Sequence, residues 1–111
     1  MKALLAALLI GVTNCHAATF CPTTPRMSYQ QSSAIKRSLI PAGHSASEYE
    51  LDHIVPLCMG GSNDRGNLQL QTWADADMKD RDEVSLCDLV RDGVLTCDEA
   101  QETMRNWKPG E

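Results

Sequence analysis

Cysteine is the residue type that most constrains the fold of this chain, because a domain of this size has room for only a modest core. Five cysteines occur among 111 residues, and Cys15 lies in a short N-terminal segment of secretory type. The other four form an even set, Cys21, Cys58, Cys87 and Cys97. None of them has the two-to-four-residue spacing of a zinc knuckle, so disulfides are favoured over zinc. Two bridges are expected, and three pairings stay open.

The first 17 residues, MKALLAALLIGVTNCHA, have the plan of a secretory signal peptide. Lys2 gives a basic start, an apolar stretch follows to Val12, and Ala17 is a small residue at the expected cleavage point. The apolar stretch is too short for a transmembrane helix. We therefore predict an exported protein, periplasmic or secreted, whose residues 18–111 form a single domain. A monomer without stable membrane association is expected. For the first 17 residues, the alternatives to a signal peptide are a buried N-terminal helix and lipidation at Cys15.

The net charge argues against a general affinity for nucleic acid. Removal of Lys2 with the signal leaves nine basic residues against 15 acidic ones, a net charge of −6. Proteins that bind nucleic acid without sequence preference are usually basic. Any action on a phosphate substrate would therefore depend on local charge and on a metal ion.

Hydrophobic spacing predicts an α+β chain. Residues 28–40 have helical spacing with Ser28 as a candidate N-cap. Residues 49–57 and 67–71 read as two strands joined by a glycine-containing turn. A long helix is predicted from Trp73 to about Gly93, and Thr96 and Glu99 have capping-box spacing at the start of a last helix.

The first predicted strand contains an adjacent aspartate and histidine, Asp52 and His53. Neighbouring residues of a regular strand point to opposite faces, so these two can serve one site only at a bend or at the strand edge. Aspartate is a hard ligand for divalent cations, and neutral histidine accepts a proton near pH 7. Together they supply what attack of an activated water on a phosphodiester requires. A surface aspartate beside a hydrogen-bonded histidine is the ordinary alternative.

The pair belongs to a longer pattern. LDHIVPLCMGGSNDRGNLQLQ, residues 51–71, followed by KDRDE, residues 79–83, resembles the HNH endonuclease family, the ββα-metal or His-Me finger nucleases, and among them small exported proteins with this signature. The resemblance implies a ββα-metal finger, a short β-hairpin plus a helix, with additional N- and C-terminal helices. It also implies a metal-dependent endonuclease that hydrolyses phosphodiester bonds of DNA, with RNA as a further substrate. Low sequence specificity is expected because no sequence-reading module accompanies the motif.

The resemblance assigns roles to individual residues. His53 would be the general base, Asn67 would hold the loop between the strands and so orient His53, and Asp52 would be a metal ligand. Gly60 and Gly61 would allow the tight path of that loop. Three basic residues close to the motif would contact phosphates of the substrate: Lys79, Arg81 and Arg65.

The second metal ligand is where this chain departs from the family pattern. The position falls on Ala76 by direct counting, and on Asp77 when it is counted back from the KD pair. Asp77 is the predicted ligand, with Asp75 as the other candidate. An oxygen ligand favours one divalent ion of the Mg²⁺ type, with Mn²⁺, Ni²⁺, Ca²⁺ or Zn²⁺ as alternatives. The departure leaves a second class of function open: a catalytically degenerate HNH-fold binding or structural module, stabilised by disulfides.

Overall fold

A computed structural model describes residues 20–110, so the predicted signal peptide lies outside the described residues. Within this range the chain forms helix α1 (Tyr29–Leu39), strands β1 (Tyr49–His53) and β2 (Leu68–Thr72), and helices α2 (Trp73–Arg91) and α3 (Cys97–Arg105). Three single 3₁₀ turns, at Ala46–Glu48, Leu57–Met59 and Arg65–Asn67, connect them. The predicted α+β class is confirmed as a two-stranded antiparallel hairpin with three helices, an arrangement compatible with a ββα unit.

Local capping explains where the helices begin. The Ser28 hydroxyl accepts a hydrogen bond from the Gln31 amide, and the Gln31 side chain accepts one in return from the Ser28 amide. Thr96 and Glu99 form the same reciprocal pair ahead of α3. Both N-caps predicted from the sequence are confirmed. A third cap, Thr72, accepts from a backbone amide of α2 and turns β2 directly into that helix.

The first strand is shorter than predicted. It was expected to reach residue 57, but it ends at His53. Beyond that point one more backbone bond crosses the hairpin, from the Ile54 amide to the carbonyl oxygen of Asn67, and the Val55 amide donates to the Asn67 side chain. Pro56 has no amide proton to donate, and the chain turns into the 3₁₀ turn that follows. The ladder stops there because the Asn67 amide donates to the carbonyl oxygen of Asp64 instead of across the hairpin.

The two adjacent glycines of the inter-strand loop are each required, for different structural reasons. Gly60 has a φ of +77°, in the left-handed region that favours glycine. At Gly61 a Cβ would lie 1.7 Å from the carbonyl oxygen of Val55, so no larger residue fits that backbone path. The tight loop expected from the pair is therefore what the structure contains.

A small core and two disulfides hold the domain together. The core lies between the loop after β1, the second half of α2, and α3; its buried residues are Val55, Met59, Val90, Cys97, Ala100 and Met104. Disulfides join Cys21 to Cys97 and Cys58 to Cys87, which selects one of the three open pairings. Each is expected to add about 2–4 kcal/mol to stability.

The disulfides fit an oxidising environment, as expected for an exported protein. Among the helices of residues 20–110, none combines the length and the apolar character needed to cross a bilayer.

Candidate active site

Asp52 and His53 both line one cavity of about 470 Å³. Four consecutive β1 residues, Glu50 to His53, line it, although their side chains alternate between the faces of the strand. In the described sheet β1 pairs only with β2, so its other edge is free of strand pairing. The other charged residues lining the cavity are Asp80 and Glu83 of α2, and Arg26 of the segment before α1.

His53 is oriented by an asparagine that sequence analysis missed. Its Nε2 lies 2.8 Å from Oδ1 of Asn63, and Nδ2 of Asn63 donates to the carbonyl oxygen of Pro25 at 2.9 Å. Because the amide nitrogen faces a carbonyl, the amide oxygen faces the histidine, and Nε2 must carry the proton that it donates. The lone pair of the neutral ring is then on Nδ1. Nδ1 is therefore the ring atom that can accept a proton.

Asn67 ties the start of the inter-strand loop to the residue before Asn63. Its Oδ1 accepts from the Val55 amide at 2.9 Å, and its Nδ2 donates to the carbonyl oxygens of Val55 and Ser62 at 2.9 and 2.8 Å. The amide thus uses both its oxygen and its nitrogen on backbone groups of this loop. It does not contact the His53 ring, so any influence on that ring passes through the backbone.

Lys79 is a buried cation beside the site. A residue that binds a substrate phosphate would be expected to reach solvent, and Lys79 does not. Only 1% of its surface is exposed. Its ammonium donates to Oδ2 of Asp52 at 2.8 Å and to Oε2 of Glu83 at 3.0 Å. It also lies 2.7 and 3.2 Å from the carbonyl oxygens of His53 and Ile54. In this position the ammonium contacts protein oxygens and does not line the His53 cavity, so the structure does not bring Lys79 to the phosphate contact that the resemblance implies.

The expected metal ligands do not converge. Asp52 is buried, and its Oδ2 already accepts from both Lys79 and Gln69. Asp77 is exposed and lines a different surface concavity, beside Arg81. Asp75 does not line the His53 cavity, and Ala76 is buried. Across residues 20–110, no group of three or more His, Cys, Asp or Glu side chains is arranged to hold a metal.

Two other carboxylates suit a hard cation better. Glu50 and Asp80 both line the His53 cavity, and neither takes part in an ion pair among the described residues. Mg²⁺ commonly binds through one or two protein carboxylates and completes its shell with water and substrate phosphate oxygens. The donor set of this cavity therefore fits a hard cation that enters together with a phosphate, although it does not form a closed protein cage.

The carboxylates of the cavity repel one another. Burial raises the pKa of Glu50, and the nearby Asp80 and Asp52 raise it further. Burial also raises the pKa of Glu83, against the opposing effect of the Lys79 ammonium. In both cases the folded protein disfavours the ionised form. A phosphate entering this cavity would meet net negative charge unless a cation came with it.

Neutralising Glu50 is expected to stabilise the fold at neutral pH. A carboxyl with a raised folded pKa stabilises the protein fully below its unfolded value of 4.5, and that contribution is lost as the pH rises through the folded pKa. Glu50→Gln should therefore raise the Tm at pH 7 in EDTA and leave it nearly unchanged below pH 4.5. Glu102→Gln, at an exposed position, is the control. An equal gain from both substitutions would show that the cavity is not the cause.

The remaining predicted phosphate contacts lie at the surface. Arg65 is exposed, and its guanidinium donates to the hydroxyl of Ser38 near the end of α1. Arg81 is exposed on α2. Neither lines the His53 cavity, whereas Arg26, which sequence analysis did not single out, does. No spacing rule connects Arg26 to the motif, because the chain between them folds back through α1.

Comparison with known proteins gives no relative: no protein-family model, no curated protein and no solved structure matches this chain.

Proposed function

We propose that this chain is an exported, divalent-cation-dependent endonuclease of HNH type that hydrolyses phosphodiester bonds in DNA, with RNA as a further substrate and with little sequence specificity. One observation carries the proposal: the hydrogen-bonded series from Pro25 through Asn63 to His53, which leaves Nδ1 of the histidine as a proton acceptor. A second feature supports it. His53 lies on the first strand of a hairpin that continues directly into a helix, the order that the family resemblance implies.

In such a reaction, the residues in and around the cavity would have separate roles. His53 takes a proton from the attacking water at Nδ1, and Asn63 keeps the ring oriented through Nε2. Arg26 supplies positive charge at the cavity for the phosphate. Lys79 fixes the backbone of His53 through its carbonyl oxygen. A divalent cation held by Glu50 and Asp80 would neutralise charge on the phosphate and on the leaving oxygen.

The cation requirement provides the first test. The oxidised mature protein is incubated with supercoiled plasmid and with single-stranded DNA in Mg²⁺, Mn²⁺, Ni²⁺, Ca²⁺, Zn²⁺ or EDTA. We expect cutting with at least one hard divalent cation and none in EDTA. Undiminished cutting in EDTA would contradict the cation dependence, and the absence of cutting with every metal would contradict the enzyme.

Removing the orienting amide should slow cutting without unfolding the protein. Asn63→Ala leaves Nε2 of His53 without its acceptor, so the ring loses the bond that fixes its tautomer and orientation. We expect a fall in rate of about 10–100-fold, the usual cost of losing an outer partner of a site histidine. The matched control is Asn106→Ala, because Asn106 bonds only within the end of α3. Equal rates for the two variants would remove Asn63 from the mechanism.

The engagement of Asp52 favours a second candidate, a disulfide-stapled module that binds nucleic acid without cutting it. Both Lys79 and Gln69 donate to the same oxygen of Asp52, so a cation that needed this carboxylate would have to compete with a buried ammonium. In the plasmid experiment this candidate predicts binding that persists in EDTA and no cutting with any cation.

A further inference from the structure

We propose that a groove along α1 binds a single strand of nucleic acid and leads it to the His53 cavity; this rests on the proposed function, whose site it extends. The groove is lined on α1 by Tyr29, Ser32, Ser33, Lys36 and Arg37, and opposite them by Ala46 and Leu51. The α1 residues follow helical i, i+3, i+4 spacing, so they form one continuous stripe of the helix. We call this surface the α1 groove.

Charge is distributed very unevenly along this acidic chain. Residues 20–47 contain three basic residues, Arg26, Lys36 and Arg37, and no aspartate or glutamate. All 15 acidic residues lie at Glu48 or beyond, where they outnumber six basic ones. The α1 groove is therefore lined by two basic side chains and by no acidic one, on a chain whose net charge is negative. Such a surface suits a polyanion that must approach the protein in one place only.

The basic residues of the groove are available to a ligand. Arg37 is exposed, and no carboxylate pairs with Lys36 or Arg37 among the described ion pairs. By contrast, Arg91 and Arg105, on the other helices, are paired with neighbouring carboxylates. The α1 groove therefore offers unpaired positive charge, which can be neutralised by phosphates.

Two exposed aromatic side chains favour unpaired bases: Tyr29, which lines the groove, and Trp73, which lies beside the groove residue Lys36. Tyr29 is 81% exposed although it lies at the start of a helix, and Trp73 is 53% exposed. The indole of Trp73 is fixed at its edge by a bond from Nε1 to the carbonyl oxygen of Ser47, and Lys36 lies 5.7 Å from its ring centroid. Exposed rings beside cationic groups are what single-strand binding surfaces use, because every base has a face that stacks.

The α1 groove reaches the candidate active site through one shared residue. Leu51 lines both the groove and the His53 cavity, two positions before His53 on β1. A strand lying in the groove would therefore bring its next phosphates over Leu51 to His53 and Arg26. This continuity explains how an acidic protein could present a phosphodiester to a cavity that contains several carboxylates.

The test measures binding separately from cutting. Fluorescence anisotropy with a labelled single-stranded oligonucleotide is performed on the oxidised protein in EDTA, across a range of salt concentrations. Lys36→Ala/Arg37→Ala should weaken binding about 10-fold and lower the salt dependence by about 1.4 in log–log slope, since each single-strand phosphate contact contributes roughly 0.7. The control, Arg91→Ala/Arg105→Ala, removes the same net charge from α2 and α3. Tyr29→Ala should weaken binding at least about 5-fold, and Tyr29→Phe should restore it.

The outcomes separate this inference from the proposed function. If the groove and control doubles weaken binding equally, or if Tyr29→Ala has no effect, the α1 groove is not the binding surface. Tighter binding to a matched duplex, or to vesicles of anionic phospholipid, would also overturn the single-strand assignment. Loss of binding only in the groove variants supports the inference even when no cation produces cutting. Cutting by the wild type with unimpaired binding by every groove variant would overturn the inference alone.

Discussion

Lys79→Met is expected to remove about 3–5 kcal/mol of folding free energy, the usual cost of leaving a buried charge without its partner. The Lys79 ammonium is the donor for Asp52 in an environment where both side chains are almost fully buried. Methionine keeps most of the apolar stem but removes every donor. The lost free energy is a large part of the 5–15 kcal/mol that small domains typically have. Urea unfolding at pH 7, with both disulfides intact, measures the change.

Two further variants identify the cause of that loss. Lys108→Met removes a lysine at an exposed position and is expected to change stability by less than about 0.5 kcal/mol. Asp52→Asn introduced together with Lys79→Met should recover part of the loss, because it removes the buried charge that was left unpaired. A Lys79→Met protein as stable as the Lys108→Met control would mean that the ammonium does not hold the hairpin to α2.

His53→Ala is expected to have the largest effect on activity, a fall in cutting rate of about 10²–10⁴-fold, which is the contribution typical of a general base. The reason is specific to the ring: alanine keeps the strand and the cavity but removes the proton acceptor and the donor to Asn63. Stability should change little by comparison with Lys79→Met, because His53 is only partly buried. Circular dichroism and thermal unfolding check that the variant remains folded.

Features that depend on neighbours in sequence were predictable. The N-caps at Ser28 and Thr96 follow from pairs three residues apart, and both are present. The order of hairpin and helices follows from hydrophobic spacing. The end of β1 was not predictable by the same means, because beyond it the Asn67 amide bonds to Asp64 and the carbonyl oxygen of Ile54 accepts from Lys79 of α2.

In the candidate site, too, residues that are adjacent in sequence were predictable, whereas contacts between distant residues were not. Asp52 and His53 were recognisable as a pair, but Asn63 acquires its role through Pro25, 38 residues earlier in the chain. Lys79 was expected to contact substrate phosphates, and only the packing of α2 against the hairpin brings it to Asp52. The i,i+4 spacing of Lys79 and Glu83 can be read from the sequence. The burial of this pair, which makes it costly to break, cannot.

The role of His53 as general base is tested by comparing His53→Ala with His44→Ala in one plasmid-nicking experiment. His44 is an exposed histidine that bonds to Glu48 and Tyr49 and does not line the cavity, so it matches the substitution without touching the site. Both proteins are assayed oxidised, at equal concentration, with the most effective cation and with EDTA. We predict that His44→Ala cuts at the wild-type rate and that His53→Ala is at least about 100-fold slower. Cutting by His53→Ala at the rate of His44→Ala would contradict the assignment of His53 as the general base.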